Sequence, residues 1–315
     1  MSKIIHRTKG LDSTFFENYR NEPTIGWQYF CNSTGLFRHF PATSWDFQPM
    51  NTYDCRMRHW FTNAATSSKD VIILIEQSGS MMGTRLDIAI DVVRNILDTL
   101  SVNDFVNIFS FNDTIRTLID CSDKNDQFPS RNVLLDRLVQ ATSSNIFDLK
   151  QALNTIDPMD QSDLAEALKH TFEVLYLNRK KGANCNQVIM LITDGMEYNE
   201  TIQGIFRENN WNKGNPVRVF SFLIGEMIPE NDYEQVKLMA CENRGYYVQI
   251  DTKTETREQV LKYIPVMARP LAFNRTQSPI IWSQVYADVL VSQSIFLNYY
   301  RTSQNQAGVL VMVQH

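Results

Sequence analysis

The sequence predicts an α/β fold, a doubly wound and mostly parallel sheet with helices on both faces, set between two parts of a flanking α+β domain. Three observations predict it. From residue 70 to residue 268, apolar runs of strand length alternate with segments of helical periodicity, the order that builds a parallel sheet wrapped by helices. The first run, Val71-Ile72-Ile73-Leu74-Ile75, is continuously apolar, as expected of a strand covered on both faces. Outside that span the texture differs. Residues 1–69 are crowded with aromatics broken by turn formers such as Asn32-Ser33-Thr34-Gly35, and short strand-like pieces return from Pro270. The divisions that follow are 1–69, 70–268 and 269–315, with the α/β unit inserted between the other two.

Taken in order, residues 1–69 read as a helix followed by short strands and loops. After the first apolar run, Leu86, Ile90, Val93, Leu97 and Leu100 recur at helical spacing, and Phe105 to Phe111 is a second strand. Val133 to Val139, and then Leu164, Leu168, Phe172 and Leu175, predict two helices. The third strand is Val188 to Ile192, and the fourth is Val217 to Ile224, ended by Gly225. A helix through Tyr233 to Cys241, a short strand Tyr246 to Ile250 and a helix through Val260 to Met267 close the unit. Beyond it, Ile280 to Tyr286, Ile295 to Tyr300 and Gly308 to Val313 predict short strands.

Composition removes several function classes. A chain of 315 residues that is 43% apolar can bury a sizeable core. The net charge of -5 and the lack of any basic block argue against nucleic-acid binding. No run approaches the roughly 20 apolar residues that span a bilayer, and the opening MSKIIHRTKG has no apolar signal core. The cysteines Cys31, Cys55, Cys121, Cys185 and Cys241 show no CxxC spacing, which argues against structural zinc. The histidines (His6, His39, His59, His170, His315) are scattered, and no G-x-S-x-G surrounds Ser78 or Ser80, so no enzyme is expected. N-x-S/T triplets at Asn32, Asn112, Asn199 and Asn274, with an odd cysteine count, lean towards a secreted, glycosylated chain.

In such sheets ligands bind beyond the carboxyl ends of the strands. The loop after the first strand carries Glu76, Ser78 and Ser80. The third strand ends in Thr193-Asp194-Gly195. Between them, Gln161-Ser162-Asp163 opens a helix for which Ser162 is a plausible cap. A Ser-Gly-Ser turn and a capping serine are also ordinary structural devices. Together, however, Glu76, Ser78, Ser80, Ser162 and Asp194 form an all-oxygen donor set suited to a hard cation, Mg²⁺ or Ca²⁺.

The order strand, acid-x-Ser-x-Ser, Ser-Asp, strand-Thr-Asp-Gly resembles the metal-ion-dependent adhesion site of von Willebrand factor type A domains. The stretches WQYFCNSTGLFRHFPA (27–42), YDCRMRHWF (53–61), LSVNDFVNIFSFND (100–113), ANCNQVIMLITDG (183–195), VRVFSFLIG (217–225), MACENRGYY (239–247) and WSQVYAD (282–288) extend the resemblance, in order, to the alpha-2/delta auxiliary subunits of voltage-gated calcium channels. The resemblance implies a type A domain inserted in a Cache-like domain, on an extracellular, glycosylated, membrane-anchored and non-enzymatic subunit that promotes surface delivery and current of the channel. It implies that Ser78, Ser80 and Ser162 ligate a cation directly, with Glu76 and Asp194 acting directly or through water. An open position would take a carboxylate from the pore-forming subunit. Two departures bear on this. The family's first Asp is Glu76 here, which moves the carboxylate by roughly 1–1.5 Å, and its usual Thr is Ser162. Because Ca²⁺ tolerates longer and more variable contacts, the expected cation is Ca²⁺ ahead of Mg²⁺.

The resemblance implies a second site and a cross-link. Arg58 would clamp the carboxylate of a free amino acid or a gabapentin-like ligand, walled by Trp27, Tyr53, Trp60 and Tyr286, with Asp288 holding the ammonium. His39 and Phe37 depart from the family there. The other reading makes the aromatics core and Arg58 a buried structural pair. Cys241 matches the cysteine that joins alpha-2 to delta by a disulfide; the other reading is an ordinary buried thiol. The alternative function is an extracellular amino-acid-sensing or adhesion module with a weakened metal site.

Overall fold

The computed structural model describes residues 8–42, 53–118, 137–180, 185–196, 198–211, 216–273, 299–305 and 308–314. In chain order the principal elements are α1 (Gly10–Asn21), β1 (Ile25–Cys31), β2 (Phe37–Phe40), α2 (His59–Thr66), β3 (Lys69–Glu76), α3 (Thr84–Asp98), β4 (Phe105–Phe111), β5 (Ile115–Thr117) and β6 (Val139–Gln140). Then come α4 (Ser143–Ala152), α5 (Leu164–Lys180), β7 (Asn186–Thr193), α6 (Glu200–Phe206), β8 (Arg218–Ile224), α7 (Glu230–Glu242) and β9 (Tyr246–Ile250). Last are α8 (Thr256–Leu261), α9 (Tyr263–Phe273), β10 (Tyr299–Asn305) and β11 (Gly308–Gln314). They form two compact units, Met1–Thr66 with Met267–His315, and Ser67–Val266.

The 67–266 unit is a seven-stranded sheet in the order β5-β4-β3-β7-β8-β9, with β6 also on β4. The pairs β3–β4, β3–β7, β7–β8 and β8–β9 are parallel, and only β5 and β6 run antiparallel. β3 is central, and all eight of its residues are buried. Each fully buried Ile or Leu there contributes about 1.5–3 kcal/mol. Ile72 and Leu74 join Phe109 and Phe111 of β4, Ile189 and Leu191 of β7, Leu168 and Phe172 of α5 and Phe206 of α6 in one core cluster. Side chains alternate along a strand, so Val71, Ile73 and Ile75 meet the opposite layer. On α3, Ile88, Ala89, Val92, Val93, Ile96 and Leu97 are buried, a single helical stripe. The turn into β9 approaches β8 so closely that a Cβ on Gly245 would stand 1.6 Å from the Val219 carbonyl oxygen, so only glycine fits.

In the other unit four strands pair antiparallel in the order β10-β11-β1-β2. The β1–β2 turn is built by Asn32, whose Oδ1 accepts from the backbone N–H of Thr34 and of Leu36 (both 3.0 Å), and by Gly35 at φ +80°. Cys31 at the end of β1 is joined to Cys55 by a disulfide, and both are fully buried.

Two local readings are corrected. The helix expected over 133–139 ends, in its described part, as the two-residue strand β6 beside Val106 and Phe105. The helix expected from Val260 to Met267 is two helices, α8 and α9, separated at Lys262. Helix α4, capped by Thr142 accepting from the Asn145 N–H, lies where the sequence showed no apolar stripe: only Leu149 is buried. The strand expected over 280–286 lies outside the described residues.

Candidate metal centre

The parallel strands end together at Glu76, Phe111, Thr193, Ile224 and Ile250, and the candidate donors stand on the turns that leave this edge. Backbone bonds set the turns. The Gln77 N–H donates to the Phe111 carbonyl (2.8 Å), tying β3 to β4, and the Gly79 N–H donates to the Asp160 carbonyl (3.0 Å). The Met159 N–H donates back to the Gln77 carbonyl (3.0 Å), and the Asp163 N–H to the Asn112 carbonyl (2.7 Å). These bonds carry Ser162 to the end of β3. Its expected role as cap of α5 is corrected: the cap is Asp163, whose Oδ1 accepts from the Glu166 N–H at 3.1 Å. Ser162 instead lines the same cleft as Glu76.

All five candidate residues meet. The Thr193 hydroxyl donates to Glu76 Oε2, and the Ser78 and Ser162 hydroxyls are near enough to favour the Glu76 carboxylate. Ser78 Oγ lies 2.8 Å from Ser80 Oγ, and Ser80 Oγ lies 3.0 Å from Asp194 Oδ1. Such spacings are what neighbouring oxygens of one small coordination shell adopt. Glu76 is almost fully buried. Burial pushes its carboxyl above the ordinary range, the hydroxyls of Thr193, Ser78 and Ser162 pull it back, and the Asp194 charge adds to the rise.

The donor set fits a divalent cation. Among the described residues no cluster of three or more His, Cys, Asp or Glu exists, so the hydroxyls must complete any cation shell. With Ser80 donating to Asp194, Ser78 is free to donate to Ser80, and each hydroxyl keeps a lone pair for a cation. Ser78, Ser80 and Ser162 are the residues that would hold it, with Glu76 and Asp194 supplying the compensating charge.

One residue was missed from sequence. Arg85 Nη1 donates to Asp194 Oδ2 at 2.5 Å and to the Ser80 carbonyl at 3.2 Å. The signal for it was a basic residue in the first turn of α3, where the helix dipole disfavours positive charge. Beside the donors opens a cleft of about 660 Å³, with Glu76, Ser162 and Thr193 on its wall and Phe111, Leu164, Met196 and Ile202 as its apolar lining.

The aromatic residues named for a second site also come together, around Tyr29. Its ring lies 6.3 Å from Trp27, 6.4 Å from Trp60 and 5.6 Å from Phe37, and Phe37 lies 4.7 Å from Tyr53. The Arg58 guanidinium carbon sits 4.7 Å from the Tyr53 ring centroid. Tyr286 and Asp288 lie outside the described residues. Cys241 is exposed and free, so the buried-thiol reading is corrected. Of the glycosylation triplets, Asn199 is exposed and caps α6, Asn32 is half-buried in its turn, and Asn274 lies outside the described residues. Asn112 is buried, with its Oδ1 accepting from the Thr114 N–H at 2.9 Å.

The comparisons agree with this architecture. Residues 71–197 match the von Willebrand factor type A domain model and residues 1–45 the VWA N-terminal model. The solved structure of a von Willebrand factor type A protein from Catenulispora acidiphila superposes with a TM-score of 0.50 at 14% identity, covering 78% of this chain and 54% of that one. The chain therefore carries a von Willebrand factor type A domain. It is 38% identical over 90% of its length to human voltage-dependent calcium channel subunit alpha-2/delta-4, and 35% identical over 92% to human alpha-2/delta-3. It is a homologue of the calcium channel alpha-2/delta subunits, spanning 24% and 25% of the length of these two.

Proposed function

We propose that this chain is part of an auxiliary subunit of a voltage-gated calcium channel and grips the pore-forming subunit through a divalent cation, promoting its surface expression and current. The observation that carries the reading is the gathering of oxygen donors at the carboxyl edge of the sheet, where Ser78, Ser80 and Asp194 are joined by hydrogen bonds and Ser162 lines the same cleft as Glu76. The cation is Ca²⁺ ahead of Mg²⁺, because the longer Glu76 side chain is drawn to Thr193. A carboxylate of the channel takes the open position, and the role is adhesive, not catalytic. The Cys31–Cys55 disulfide favours an oxidising, extracellular setting. The exposed, unbridged Cys241 is available for the delta part of the same precursor. Among the described residues no helix is long and apolar enough to cross a membrane. The test is calorimetric titration with Ca²⁺ and Mg²⁺, beside capture of the pore-forming subunit. Binding and capture are expected in the wild type and lost in Asp194→Ala; an intact fold that takes up neither ion would end the proposal.

A second reading rests on the Arg58–Tyr53 stack among Trp27, Tyr29 and Trp60, which supports a pocket for a free amino acid. Leucine or gabapentin should raise the melting temperature of the wild type and not of Arg58→Ala. No shift at millimolar ligand would remove this reading.

A further inference from the structure

The geometry points to Arg85 as a tethered cation that shares Asp194 with the divalent ion and holds down the affinity of the site for that ion. This rests on the cation reading above. The two oxygens of Asp194 face different charges. Oδ1 accepts from Ser80 within the donor set, whereas Oδ2 accepts from Arg85 Nη1 at 2.5 Å. The same Nη1 donates to the carbonyl of Ser80, so the guanidinium is fixed to both the carboxylate and the backbone of the serine loop. Its seat is shaped for it. Gly225, at φ +132°, lies so near that a Cβ there would come within 3.2 Å of Arg85 Nε, closer than most side-chain contacts. The Asp194 side chain is 8% exposed and that of Arg85 36%, so water screens the pair only in part.

Charge accounting gives the consequence. Glu76 and Asp194 are the only acidic members of the donor set, and Arg85 already offsets one of them. A doubly charged ion added to two carboxylates and one guanidinium leaves a positive charge in excess. Like charges at this range repel, so the ion binds more weakly than two carboxylates alone would hold it. The same excess suits the loaded site to an acidic group from outside. Arg85 is thus a specificity-determining residue: it disfavours the ion by itself and favours the ion together with a carboxylate.

Titration of the protein with Ca²⁺ alone, by calorimetry, tests this on wild type, Arg85→Gln and Arg85→Lys. Arg85→Gln is expected to bind about tenfold tighter at low salt, and Arg85→Lys within about twofold of wild type. The gap should narrow as ionic strength rises towards about 1 M. Without Ca²⁺, the melting temperature of Arg85→Gln should fall, because Asp194 loses its counter-ion. Arg85→Met supplies the same comparison if Arg85→Gln does not fold. Equal or weaker Ca²⁺ binding on loss of the charge overturns the proposal and leaves the cation site standing. Absence of binding in every variant, wild type included, removes both.

Discussion

The Lys69 ammonium nitrogen lies 3.0 Å from an Asp104 carboxylate oxygen, with the two side chains 0% and 1% exposed at the amino edge of the sheet. Asp104 also accepts from the backbone N–H of Lys69 (3.0 Å) and of Ser101 (2.8 Å), so it fastens the entry of β3 to the turn before β4. Removing one partner strands a charge in the interior. Asp104→Ala should therefore cost about 3–5 kcal/mol in urea unfolding, whereas Lys69→Met with Asp104→Leu should cost far less.

Beside it, Asp70 is also fully buried. Its Oδ2 accepts from Asn178 Nδ2 at 2.9 Å, and its Oδ1 has no hydrogen-bond partner. Burial pushes its carboxyl above the ordinary value. A folded-state pKa above the unfolded one gives stability that is present below the unfolded value, about 3.9, and is lost as pH rises through the folded one. Asp70→Asn escapes that loss. Its melting temperature should exceed that of wild type at pH 7 by on the order of 2–4 °C, the scale of a 1 kcal/mol change. The difference should vanish below about pH 4; a gain of the same size at every pH would contradict this account.

Glu76 reaches Thr193 because its stem is one methylene longer than that of aspartate. Shortening it by Glu76→Asp draws the carboxylate back by roughly 1–1.5 Å towards Ser78 and Ser80. Paired titrations should then show Mg²⁺ gaining on Ca²⁺ by about tenfold, since the smaller ion demands the closer shell. An unchanged ratio would mean that Glu76 does not set the preference.

The disulfide of Cys31 and Cys55 closes a loop with a sequence separation of 24. Replacing both by serine should cost about 3 kcal/mol on the loop-entropy estimate. Hydrogen exchange should quicken in β1 and β2 while β3, β4 and β7 keep their protection. A uniform change across the chain would count against so local a role.

The sequence made β3, β4, β7 and β8 legible because strands buried on both faces read as continuous hydrocarbon. The turn residues that follow β3 and β7 were legible because oxygen donors are conspicuous straight after such runs. Other features depend on tertiary neighbours. β6 is two residues long and exists through its pairing with β4. Helix α4 buries only Leu149, so it carries no stripe. Ser162 and Asp163 are both good caps, and only the bond from Asp163 to Glu166 separates them. Cys31 could have joined any of four other cysteines, since pairing is a matter of proximity that spacing does not encode. Arg85 is distant in sequence from Asp194, and its place in the first turn of α3 marks it as unusual without naming its partner.

The antiparallel contact of β1 with β11 bears on the order of assembly during synthesis. Residues 25–31 leave the ribosome early, but the strand they zip to begins at Gly308, so that edge waits for almost all the intervening polypeptide. Every strand of the parallel sheet is complete by Ile250. Nascent chains stalled before residue 308 should hold a finished 67–266 unit while the other unit is still incomplete. The exposed flank of β1 is then the surface a folding helper has to shield.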